Sequence, residues 1–153
     1  MILVLRFVLI GIFIISTAIT SYAKHVQGIP DIANVEKVMK NIMNEIEKGE
    51  IGNLYNIVDK HWHLPSKKTQ DMMKTSIDQR AKLDSGPIMG VEMINKKVRG
   101  ESLIYFTFLE KYEHAPIYWL VAFYKPKDHW LIINISWAAD VRQLLSIEGN
   151  VFD

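Results

Sequence analysis

Three runs dense in aromatic and β-branched residues, crowded between Leu103 and Trp137, constrain this chain more than any other feature. They read Leu103-Ile-Tyr-Phe-Thr-Phe-Leu, Ile117-Tyr-Trp-Leu-Val-Ala-Phe-Tyr and Trp130-Leu-Ile-Ile-Asn-Ile-Ser-Trp. Between them lie Glu113-His-Ala-Pro and Lys125-Pro-Lys-Asp-His, short polar loops with the Pro and Asp that turns favour. The pattern predicts an antiparallel meander, and a preceding strand over Val91–Val98 enters it through Arg99-Gly-Glu101.

The sequence upstream reads as cover for that sheet. Asp31 stands at an N-cap position, and Ile32, Val35, Val38, Met39, Ile42, Met43 and Ile46 recur at helical spacing until Gly49 stops them. A shorter helix is expected over about 53–60, with Leu54, Ile57 and Val58 inward. It ends at His61-Trp-His-Leu-Pro65, because the residue before Pro avoids helical geometry. Ser66 would cap a third helix running to about Asp84, with the thinner stripe Met72, Met73, Ile77, Ala81. Residues 24–30 read as a disordered lead-in, and 141–147 as a short tail helix. Three N-terminal helices on a four-stranded antiparallel sheet make an α+β fold.

Met1–Ala23 has the form of a secretory signal peptide. Arg6 is its single charge, Phe7–Ile15 its apolar core, and Ser21-Tyr-Ala its cleavage site. The alternative is an uncleaved anchor, since Met1–Thr20 approaches the length needed to span a bilayer. The organisation expected is therefore a leader over 1–23 and one domain over 24–153, placed in a periplasm or outside the cell. The chain has no cysteine, which excludes disulfides, thiolate metal sites and a lipid-modified cysteine. Of 18 Lys and Arg, one is Arg6, so the remainder balance 17 Asp and Glu. That neutrality argues against a nucleic-acid binder and against a polybasic membrane-surface protein.

If Phe123 pairs with Leu131, then Ile117, Trp119, Val121 and Phe123 share a face with Leu131, Ile133, Ile135 and Trp137. That apolar face should take the helices. The opposite face carries Tyr118, Leu120, Ala122 and Tyr124 with Trp130, Ile132, Asn134 and Ser136, and it is too apolar for a sheet open to water. A second copy is the expected cover, giving a homodimer with Tyr118, Leu120, Tyr124 and Ile132 at its interface.

The hairpin Phe123-Tyr-Lys-Pro-Lys-Asp-His-Trp130 and its following strand, with Gly90 before a Glu-bearing strand and Gly100-Glu-Ser-Leu opening the next, resembles small exported bacterial proteins of the nuclear-transport-factor-2-like (cystatin-like) superfamily. The resemblance spans roughly residues 31–140 and rests on structural motifs. It implies a curved, cone-like sheet, a pocket between helices and sheet, and dimers packed through the sheet. Its members include isomerases, dehydratases and non-enzymatic domains, so it does not give the function.

Several residues have chemistry to weigh. His61 and His63 fall on one side of an extended segment, as two metal ligands would, but no third ligand stands at a suitable spacing; a surface loop anchored by Trp62 is the expectation. An isomerase would need an inward carboxylate and an oxyanion donor, for which Glu92, Glu110, Tyr105 and Tyr112 are the candidates. A carboxylate flanked by lysine, as Glu110 is by Lys111, belongs more often on a wet face. Trp119, Phe106, Phe108, Trp137 and Tyr105 are the candidate lining of a small apolar ligand pocket, plain core being the alternative. Met39, Met43, Met72 and Met73 fit helix stripes as core filling. His114 and His129 belong to solvated turns. No nucleophile triad, phosphate loop or zinc motif occurs. The expectation is an exported binding or interaction module without metal or cofactor. The alternatives are a small isomerase- or dehydratase-like pocket enzyme and a periplasmic part of an envelope assembly, tethered through an uncleaved leader.

Overall fold

The chain's asymmetry, helix periodicity first and strand alternation afterwards, becomes two packed layers. The computed structural model describes residues 26–64, 67–83, 85–140 and 142. The expected leader, the Ser66 cap and all of the expected tail helix except Arg142 lie outside the described residues.

Helix α1 (Ile32–Lys48) opens with the Asp31 carboxylate accepting from the Asn34 backbone N–H at 2.8 Å. It closes on Gly49, whose φ of 74° is left-handed, where a side chain would be strained. Val35, Met39, Ile42 and Ile46 form its buried stripe. Helix α2 (Ile51–His61) buries Leu54 and Val58, and α3 (Lys67–Ala81) buries Met73, Ile77 and Arg80. Met72, expected in that stripe, is 63 % exposed instead. It neighbours Met73, and a helix cannot turn both inward.

The sheet is antiparallel throughout, in the order β1 (Ile88–Arg99), β2 (Leu103–Tyr112), β3 (Ile117–Tyr124), β4 (Leu131–Ala138). Ile104, Phe106, Phe108 and Glu110 of β2 alternate toward the helices, beside Ile117, Trp119, Val121 and Phe123 of β3. Phe108 and Trp119 stack there with parallel rings 5.9 Å apart.

Two expectations about register and chain ends change. Ala122 pairs with Asn134 but Phe123 pairs with Ile132, so Ile133 is an extra residue in β4. Such a bulge resets the alternation. Trp137 and Ile135 share the helix side with Trp119 and Val121; beyond the bulge Ile132 and Trp130 are the residues buried in the core, while Leu131 pairs with Tyr124. The lead-in is not loose. Ile29 and Trp130 exchange backbone hydrogen bonds of 2.9 and 2.7 Å, Gln27 donates to the Lys60 carbonyl, and the Ile29 side chain is buried.

Candidate functional site

Alternation along β2 carries a glutamate into the core. Glu110 follows Phe106 and Phe108 at the strand period and is 0 % exposed. Arg80 reaches it from α3, at the helical spacing set by Met73 and Ile77. The guanidinium forks onto the carboxylate, Nε donating to Oε2 at 2.8 Å and Nη2 to Oε1. The Tyr112 hydroxyl donates to Oε1 at 2.5 Å, and the Trp119 indole N–H to Oε2 at 2.9 Å. The Arg80 guanidinium also lies 5.3 Å from the Tyr112 ring centre. Burial pushes the Glu110 carboxyl up, to about 7, with the Trp119 hydrogen bond pulling against it. Burial also draws the Arg80 guanidinium below its ordinary value.

An ionised carboxylate offers about four acceptor positions, and here four donors occupy them. Nothing on Glu110 is left to take a proton from a substrate while this network stands. Glu92, the other carboxylate considered, lies in water with Lys111 Nζ 3.0 Å away. The lysine neighbour of Glu110 misleads, because residues i and i+1 of a strand point to opposite faces.

The expected pocket lining divides. Trp119 and Phe108 are core, and Phe106 closes the floor of a cavity of about 270 Å³ between α1 and β1, with Met39, Met43, Met93, Glu36, Lys40 and Lys96 around it. Trp137 donates its indole N–H to the Ser76 carbonyl of α3 at 2.9 Å. Tyr105 is not on the helix side; it pairs with Ala122 on the opposite face. Of the residues expected at a dimer interface, Tyr118, Leu120 and Tyr124 lie on that opposite face, and Tyr124 is exposed. Ile132 does not, since the bulge turns it into the core.

The two histidines do not converge. His61 Nδ1 donates to the Gln27 carbonyl at 2.7 Å, and His63 Nδ1 to the Ile132 carbonyl at 3.1 Å. Burial holds the His61 pKa below the usual histidine value, while the Gln27 hydrogen bond opposes the shift. Among the described residues no three His, Cys, Asp or Glu side chains gather as a metal site. His129 pairs with Asp128 at 2.7 Å.

Trp62 was expected only to anchor a surface loop. Its backbone continues beyond α2 in extended form and pairs in parallel with Ile132, and His63 N–H donates to the Ile132 carbonyl at 3.0 Å. Its ring walls a cavity of about 210 Å³ with Met72, Met73, Ser76 and Ile135. Its indole Nε1 is buried without a hydrogen-bond partner. The signal available in the sequence was an aromatic residue between two histidines at a helix end, which says only that something is anchored there.

No protein-family model and no curated protein matches the chain. Among the described residues no helix is long and apolar enough to cross a membrane.

Proposed function

We propose that the protein is an exported, non-enzymatic binding or interaction module of the nuclear-transport-factor-2-like kind, its sheet curved under the helices. The observation that carries this reading is the saturation of Glu110. A buried carboxyl with a raised pKa is what an isomerase would need, and on that ground alone the enzyme reading would gain. Catalysis by a base, however, requires a lone pair facing the substrate. Arg80, Tyr112 and Trp119 take all of them, and the stacked Phe108 and Trp119 fill the adjacent space. The cluster joins α3 to β2 and β3, which is the work of a structural tie. Space remains at the flanks of the helix layer, where the cavities are lined mostly by methionine and aromatic side chains. Such walls suit small apolar ligands, because methionine adapts its shape to the occupant.

The same reading includes a homodimer through the outer sheet face, with Tyr118 and Tyr124 as contacts in place of Ile132. Native mass spectrometry of protein purified from its export compartment without refolding tests all three elements. The expected species lacks residues 1–23, is dimeric and carries a reproducible extra mass. A processed species that retains neither a small molecule nor a protein partner overturns the binding reading. A stoichiometric envelope protein with the leader still attached replaces it with the assembly reading.

A further inference from the structure

Helix α1 and strand β1 face each other across a gap that both elements line. On α1, Glu36, Met39, Lys40 and Met43 form one stripe at the three-and-four spacing. On β1 the decisive residue is an extra one. Met93 pairs with Phe108 and Asn95 with Thr107, so Ile94 is a bulge. In an unbroken strand Met93 and Lys96 would fall on opposite faces. The bulge brings both to the helix side, with Lys96 directly opposite Phe106.

The resulting cavity of about 270 Å³ is layered. Met39 and Phe106 are buried at its floor, and Met43 and Met93 continue the apolar wall outward. Glu36, Lys40 and Lys96 stand on the solvent side. Lys96 Nζ donates to Glu36 Oε1, which ties β1 to α1. That bond, with the fields of Lys96 and of Lys40, holds the Glu36 carboxyl below its ordinary value. The mouth therefore carries two cations and one anion. Lysine stems cover apolar surface while their ammonium groups stay in water, so both positive charges belong to the rim.

Each layer selects a part of the ligand. Thioethers and a phenyl ring offer no useful hydrogen bond, so the enclosed part must be apolar. An apolar cavity of roughly 150 Å³ takes up benzene, and in proportion this one holds about ten heavy atoms. A cationic head would meet a mouth of its own sign. One carboxylate matches the excess charge, and it can take Lys96 from Glu36 because an exposed ion pair is weakly held. Glu36 is then the ligand's competitor and not its partner.

We infer that the cavity between α1 and β1 binds a monoanionic amphiphile, an apolar chain of about eight carbons ending in a carboxylate. The chain lies on Met39, Met43, Met93 and Phe106, and the carboxylate on Lys96 and Lys40. This rests on the binding-module reading and names the ligand class of one of its cavities.

Octanoate, octanol and octylammonium share a chain and differ in the charge of the head. Each is titrated into protein labelled with ¹³C at the methionine methyls. Met39, Met43 and Met93 report this cavity, Met72 and Met73 the one beside α3, and the exposed Met89 open solvent. Octanoate should shift the first three to saturation and bind about fivefold tighter than octanol, as one favourable exposed ion pair allows. Octylammonium should bind most weakly. Glu36→Gln should tighten octanoate about threefold without affecting octanol, because the competing charge is gone. Lys96→Met should bring octanoate down to the level of octanol. Should either variant fold poorly, added salt decides on the wild type, since it should shrink the preference for octanoate over octanol. Octanol binding as tightly as octanoate, a preference indifferent to salt, or a folded Glu36→Gln that binds octanoate no better overturns the proposal. If Met72 and Met73 shift instead, the site falls while the binding-module reading stands. If no methyl shifts with any probe, the site falls, and the broader reading is decided by the mass of the native species.

Discussion

Glu110 and Arg80 each occupy the polar exception in an apolar row, one at strand spacing and one at helix spacing. Burial of one would be costly; together they offset much of each other's desolvation. Glu110→Gln puts an amide N–H₂ against the guanidinium and the indole, and should cost about 3–5 kcal/mol in urea unfolding. Arg80→Met should cost a similar amount, because it leaves the buried Glu110 carboxyl, which burial raises to about 7 against the Trp119 hydrogen bond, without its cationic partner. In a separate cycle, Arg80→Met combined with Glu110→Leu should cost less than Arg80→Met and Glu110→Leu measured singly and added, by about 2 kcal/mol. It should not reach wild type, because the Trp119 N–H and Tyr112 O–H lose their acceptor. Strict additivity in that cycle would mean that the pair does not hold α3 to the sheet. His61 gives a second residue-scale test. Its folded pKa lies below the ordinary value of 6.5, so as pH falls below 6.5 the unfolded chain takes up the proton first and stability drops. His61→Gln keeps a donor for the Gln27 carbonyl without titrating. The stability gap between wild type and this variant should narrow between about pH 7.5 and 5.5; a constant gap would remove His61 as the cause. Both rows were readable in the sequence. The alternation Ile104, Phe106, Phe108 points at Glu110, and Met73, Ile77 points at Arg80. What was not readable was that the two rows meet, because contact between α3 and β2 depends on tertiary packing.

At the scale of elements, the strong periodicities survived and the ends and registers moved. β3 occupies Ile117–Tyr124 as its composition implies, and α1 begins and ends on its own caps. β1 adds Ile88, Met89, Gly90 and Arg99 to the expected Val91–Val98, and β2 adds Glu110, Lys111 and Tyr112 to its apolar run, since ladder hydrogen bonds tolerate such residues once neighbouring strands are in place. The bulge at Ile133 had no local signature: Leu-Ile-Ile-Asn-Ile alternates acceptably in either register. It arises where β4 must present both Trp137 and Ile132 to the helices. The lead-in was missed because a bridge of one residue leaves no period. Gly28 shows what that bridge demands. A Cβ there would meet the His129 ring at 2.5 Å and its Cβ at 2.8 Å. Gly28→Ala should therefore cost about 1–3 kcal/mol, in the range of overpacked sites, and should raise hydrogen exchange at the Ile29 and Trp130 amides well before the β2–β3 ladder. Unchanged protection at those two amides would show that the 26–30 segment adjusts without cost.

For the whole molecule, the outer sheet face decides how many copies make the functional unit. Its centre is already shielded within one chain: Leu120 is 5 % and Ala122 2 % exposed. The half-buried Tyr118 and the 42 % exposed Tyr124 remain to make contacts. A partner copy would then dock on a rim of tyrosines around a covered centre, and tyrosine is well suited to interfaces because its ring is apolar and its hydroxyl remains paired or wet. A stable two-fold contact needs about 1,200–2,000 Å² in total, which the two tyrosines supply only as part of a broader patch over β3 and its neighbours. Tyr118→Lys combined with Tyr124→Lys should turn a dimer into a monomer in sedimentation, since like charges would face each other across the axis. Stability of the isolated chain should change by less than about 1 kcal/mol, as neither side chain belongs to the helix-side core. Lysine pairs on the helix side would instead unfold the protein, which separates an interface effect from a folding effect. A wild type that sediments as a monomer at about 10 µM, a concentration that populates dimers with micromolar dissociation constants, leaves the tyrosine rim without a second copy. The rim would then face a different macromolecule, and the two-fold arrangement would be withdrawn.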